Sequence, residues 1–144
     1  MLKSSNMKRY EQFPHTADIG VHVYGATLKE LYGNAAFAMF DILADIDGLE
    51  ETVSRDIELT APNRDDLLVA WLGELLYHFS VHSIIFSRFE IIELTDILIK
   101  AKAYGMPVGS SRSRLKTEIK AVTYCDLAIK KTDEGFKVDI IFDV

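Results

Sequence analysis

At 144 residues, with 49% hydrophobic and 26% charged side chains, the chain has the size and composition of one globular domain, able to bury roughly two thirds of the surface its unfolded form exposes. Its formal charge of −6 argues against a general nucleic-acid binder, because affinity for a phosphate backbone comes from clustered Lys and Arg, so any RNA contact has to be local or made through a partner. No stretch approaches the ~20 apolar residues of a bilayer span, no apolar leader with a small-residue cleavage site opens the chain, and the single Cys125 excludes an internal disulfide and a cysteine-rich zinc site. The expectation is a cytoplasmic protein of one domain, residues 1–144, with no membrane partner.

In chain order, Ile19, Val21 and Val23 alternate with Gly20, His22 and Tyr24, the period of a strand with one buried face. Thr27 and Glu30 form a capping box ahead of Leu28, Leu31, Tyr32, Ala35, Met39, Ile42 and Leu43, which predicts a first helix from about Leu28 to Ala44. Val53, Ile57, Leu59 and Ala61 fit a strand ended by Pro62. Asn63 then caps a second helix with Asp65 and Asp66 at its positive end and an apolar stripe from Leu67 through Trp71 to Phe79. Strands are expected between Ile84 and Tyr104, a break at Gly105–Gly109, and two more strands, Leu115–Ile129 and Phe136–Val144, joined by a turn at Thr132–Gly135. The fold class is α+β: a strand-rich single domain whose two main helices pack on one face of a predominantly antiparallel sheet.

The last strand carries the clearest chemistry. Phe136, Val138, Ile140 and Phe142 point one way, and Lys137, Asp139, Ile141 and Asp143 the other. Asp143 beside the terminal carboxylate of Val144 is half of an oxygen-rich site for a hard divalent ion, and Asp18, at the mouth of a strand, is the candidate to complete it. On residues alone the simpler reading stays open: Asp18 as a turn aspartate and Asp143 as a terminal charge. Arg112, Arg114, Lys116 and Lys120 would share one face of an extended strand, as a phosphate or partner contact or, more simply, as a guarded sheet edge. Glu74, His78 and His82 share a helix face but lack the spacing of known helical metal sites, so they are read as surface groups near a helix C-terminus. Cys125 has no neighbouring base in sequence, and the glycines form no phosphate-cradling or dinucleotide-binding pattern.

Three separated strings, His15-Thr16-Ala17-Asp18-Ile19-Gly20, Ile119-Lys120-Ala121-Val122-Thr123-Tyr124 and the terminal Asp143-Val144, with Leu67–Leu76 as the second helix between them, resemble the archease family over nearly the whole chain. The resemblance implies a non-catalytic, metal-binding accessory protein in tRNA splicing. Its partner would be a GTP-dependent RNA-splicing ligase, whose guanylylation and repeated turnover it promotes, with tRNA met only through that ligase. It also implies a divalent cation, calcium foremost, at Asp18 and Asp143 with Val144, a functional Lys120, and His15 and Thr16 in support. Cys125 stands where family members often carry a histidine. Two alternatives compete: a small metal-dependent phosphoesterase or hydrolase using the same two aspartates, and a chaperone-like module acting through an exposed apolar patch.

Overall fold

The computed structural model of the chain describes residues 8–124 and 126–144, so Cys125 lies outside it. Local signals set both helices. Helix α1 (Leu28–Leu43) starts where Thr27 accepts from the Glu30 amide, and α2 (Arg64–His82) where Asn63 accepts from the Asp66 amide. Each cap satisfies a first-turn N–H that has no partner inside the helix. Helix α1 is buried on most of its circumference, including Leu31, Tyr32, Ala35, Met39 and Phe40, and α2 locks onto it. The Tyr32 hydroxyl donates to the Arg64 carbonyl at 2.6 Å, and the Trp71 indole donates to the Tyr32 carbonyl at 3.0 Å.

The strands are β1 (Tyr10–His15), β2 (Asp18–Gly25), β3 (Val53–Thr60), β4 (Ile84–Leu94), β5 (Leu98–Pro107), β6 (Ala121–Val122), β7 (Lys130–Thr132) and β8 (Gly135–Asp143). All pairings are antiparallel, as the sequence pattern predicts. They form two sheets rather than one, in the orders β1-β2-β8-β6, with β7 also on β8, and β3-β5-β4. Helix α1 packs against β2 of one sheet and β4 of the other, and α2 touches β3, β4 and β5 as well as α1. In the larger sheet Ile19, Val21 and Val23 of β2 pair with Phe142, Ile140 and Val138 of β8 and face the core, leaving the alternate residues outward. Among the described residues no helix is long and apolar enough to cross a membrane.

Three expectations are corrected. Gly105 does not break β5. A Cβ there would sit 1.8 Å from the Ile85 carbonyl oxygen, so glycine is what permits the close approach of β5 to β4. The segment from Leu115 to Ile129 is mostly irregular, with only the short β6 within it. Its backbone serves α1 instead, the amides of Lys116 and Thr117 donating to the Leu43 and Ile42 carbonyls, which the helix end leaves without partners. Arg112–Arg114 forms a 3-10 turn, and the Arg114 guanidinium donates to the Asp45 and Asp47 carbonyls at 2.9 and 2.8 Å. The basic stripe expected on an extended strand is thereby dissolved, Arg114 being committed to holding a loop.

Candidate metal centre

The first motif is a hairpin turn. Strand β1 ends at His15, Thr16 and Ala17 make the turn, and β2 begins at Asp18, paired with His15. Ala17 holds φ at +62°, a left-handed conformation that costs a residue with a Cβ roughly 1–2 kcal/mol; such strain persists where the surroundings over-determine it. Asp18 is then aligned directly opposite Asp143 of β8, and Asp143 opposite Ala121 of β6. One row thus crosses four strands: His15, Asp18, Asp143, Ala121. It lies on the outward side, because the next row, Ile19, Phe142 and Val122, faces the core.

Residues 18 and 143 are 125 positions apart in sequence, yet cross-strand partners stand about 5 Å apart at Cβ, and like charges so placed repel. His15 Nδ1 lies 3.5 Å from Asp18 Oδ2, and no Lys or Arg side chain among the described residues bridges the two carboxylates. Their spacing lets both reach one hard cation at oxygen distances of about 2.3–2.6 Å, so the donor set fits calcium or magnesium. Among the described residues no three His, Cys, Asp or Glu side chains are gathered into a closed metal site. Asp18 and Asp143 are thus two candidate ligands, with no third side-chain donor gathered beside them among the described residues.

The remaining expected residues fall around this row. The Lys120 amide donates to the Asp143 carbonyl at 2.7 Å, tying the second motif to the third. Its side chain is exposed and forms no ion pair among the described residues. Thr16 is exposed in the turn, and Val144 packs half-buried against the core. Sequence reasoning missed the outward neighbours. The Phe13 ring covers Gly20, where a Cβ would sit 2.3 Å from the ring, and it stacks on His22 at 4.4 Å between centroids. His22 Nδ1 in turn lies 2.6 Å from Asp139 Oδ1. A shallow cavity of about 180 Å³ between Phe13, His15, Asp126, Asp139 and Ile141 continues the site along the sheet. Thr123 Oγ1 is buried without a partner among the described residues, its amide bonded to Ile141. The alternation of β2 and β8 was the only available signal for this face, and it does not reveal which residues end up opposite one another.

Comparison with known proteins decides the kinship. The Archease protein family model matches residues 10–144. The chain belongs to the archease family. Proteins named archease share 42% identity in Methanosarcina acetivorans, over 97% of this chain and 99% of the relative, and 37% in Pyrococcus abyssi, over 90% and 93%. The solution structure of Methanobacterium thermoautotrophicum protein 1598 superposes with a TM-score of 0.82 at 35% identity, covering 96% of this chain and all of that one. The archease match spans all three motifs, and in this fold they meet at one end of the larger sheet.

Proposed function

We propose that this archease-family chain is a non-catalytic accessory protein that uses a bound divalent cation, calcium foremost, to promote guanylylation and turnover of a GTP-dependent RNA-splicing ligase, with tRNA engaged through the ligase. The observation that carries the reading is the outward alignment of Asp18 with Asp143. When bound, the cation supplies a fixed positive charge whose free coordination positions accept oxygens of the partner's site. The chain's own residues build that platform: Asp18 and Asp143 bind, a main-chain oxygen of Val144 adds a donor, and His15 steadies the Asp18 carboxylate. The Lys120 amide fixes the end of β8, and its exposed ammonium would orient a carboxylate or meet a phosphate. Thr16 keeps the turn short.

Such a pair suits an activator, whose ion is completed by the partner, better than a hydrolase, which needs an activated water and a base within a formed pocket. The large exposed apolar residues, Tyr77 and Val81 on α2, Ile92, Ile97 and Tyr124, are distributed over several elements.

The test is Asp143→Ala assayed with purified ligase and radiolabelled GTP. Asp143 is exposed, so the fold is expected to persist, and stimulation of guanylylation should fall by about tenfold or more, in line with loss of metal-site groups. Full stimulation by the variant would refute the mechanism, and phosphoester turnover by the isolated wild-type chain would favour the hydrolase instead.

A further inference from the structure

At the far end of β2 from Asp18, roughly 20 Å along the strand, the chain has a groove of about 420 Å³ running between the first turns of α1 and the strand β4. Two of its walls are unusual. Strand β4 is the edge of the three-stranded sheet, bonded on one side only to β5, and consecutive residues Ser87, Arg88 and Phe89 line the groove, as they do when a ligand meets a strand's edge rather than its face. Register shifts between Phe86 and Arg88 and between Ile91 and Glu93 leave a short regular stretch, Arg88 to Ile91, between two bulges. The Lys29 ammonium donates to the Ile92 carbonyl at 3.2 Å. A lysine is thus parked on the carbonyl of a bulged residue of the edge strand, a guard of the kind that discourages indiscriminate pairing.

The second feature is charge. In a chain of net −6, this groove is lined by Arg9, Lys29 and Arg88 against one acid, Glu30, whose carboxylate is held by the Ala26 amide at 3.1 Å. Arg88 is neutralised by a two-pronged pair with Glu51 at 2.8 and 2.9 Å. Among the described residues Arg9 and Lys29 have only neutral partners, Arg9 lying 4.2 Å over the Phe37 ring and Lys29 on the Ile92 carbonyl. Lys29 and Phe37 are eight residues apart on one helix, a Cα rise of about 12 Å, so the two cations are anchored over different turns of α1, a spread that suits several carboxylates on an extended chain.

We propose that this groove docks an extended, acidic segment of a protein partner, its backbone pairing with the free edge of β4 between Arg88 and Ile91 and its carboxylates meeting Arg9 and Lys29. This surface is separate from the metal centre, and its failure would leave the proposed ligase activation untouched.

The probe is a ten-residue capped peptide of glutamates alternating with threonines, titrated into the full isotope-labelled chain. Amide shifts should concentrate at Lys29 and residues 87–92, with slowed hydrogen exchange along that edge. Two changes should each weaken binding by about tenfold or more: methylating alternate peptide nitrogens, which removes the pairing donors, and the double substitution Arg9→Glu with Lys29→Glu, both exposed positions. No shift at millimolar peptide overturns the proposal. So does equal binding of a lysine-for-glutamate peptide or of the N-methylated peptide, and so does displacement of the probe by pyrophosphate or a short RNA as effectively as by the peptide itself, which would make the groove a general anion site.

Discussion

A helix face and a sheet end of this molecule each bring carboxylates and histidines together, and they differ in what holds them. On α2, Glu74, His78 and His82 follow one another at four-residue intervals. His78 Nε2 lies 3.3 Å from Glu74 Oε2, its ring meets Phe86 edge-on at 6.0 Å, and the His82 ring is 5.5 Å away. That row is made by one helix and pairs within it, although His78 Nδ1 stays buried without a partner among the described residues. At the sheet end, His15, Asp18 and Asp143 come from three strands, and the ladder sets two carboxylates opposite one another with His15 beside Asp18 and no Lys or Arg side chain between them among the described residues. Proximity of acids and histidines is cheap when it is local and self-paired. It becomes informative when long-range register sets two acids opposite one another, an arrangement that a bound cation would favour.

The largest effect that separates the two regions comes from the core beneath each. Phe142 is fully buried next to Asp143, and Leu75 is fully buried next to Glu74. Phe142→Ala should cost about 3–5 kcal/mol and Leu75→Ala about 2–5 kcal/mol in denaturant unfolding. Only Phe142→Ala should also weaken calcium binding, measured by calorimetric titration, because Phe142 anchors the last turn of the β8 pleat opposite Ile19. Equal calcium affinity in the two variants would mean that the register of β8 does not build the site.

Neutralising one acid in each region should then give opposite signs. In chelator, Asp143→Asn removes a directly opposed like charge and should raise stability by about 0.2–1 kcal/mol, read as a rise in Tm. With calcium added, the wild type should overtake it, since the variant loses the ligand-linked stabilisation. Glu74→Gln instead removes a half-buried i,i+4 helical pair and should lower stability by about 0.5 kcal/mol, with or without calcium. A calcium-independent Tm in the wild type would sink the contrast.

Local signals made much of the fold legible. Asn63 and Thr27 announced their helices, and the alternation of β2 and β8 gave the outward side of Asp18, His22, Asp139 and Asp143. Strand β1 was not legible, because as an edge strand it buries little; only Tyr10 and Phe13 are even half-buried, and Pro14 interrupts the pattern. The division into two sheets and the irregular path of residues 115–120 were hidden for a different reason. Both depend on which distant carbonyls and edges need partners, such as the end of α1 that Lys116 and Thr117 serve, and composition does not encode that. The pairing of Asp18 with Asp143 belongs to the same class: each residue could be suspected, but their being opposite is a property of the sheet.

The smallest effect is confined to the helical row and concerns protons. Burial holds the His78 imidazole below its ordinary value of 6.5, outweighing the opposing pull of Glu74, while His82 and Arg55 push the same way as burial; across from it β4 offers only the uncharged Phe86 ring. The folded state therefore binds its proton less readily than the unfolded chain does. His78 contributes no penalty above the unfolded value, and stability is lost as the pH falls below that value toward the depressed folded one. In His78→Phe the linkage is absent. Between about pH 8 and about pH 5, Tm of the wild type should fall more steeply than that of the variant, while the groups common to both proteins contribute alike to the two curves and cancel. Parallel curves would show that the ring of His78 is solvated in both states, and that the helical row is looser than its 3.3 Å contact to Glu74 implies.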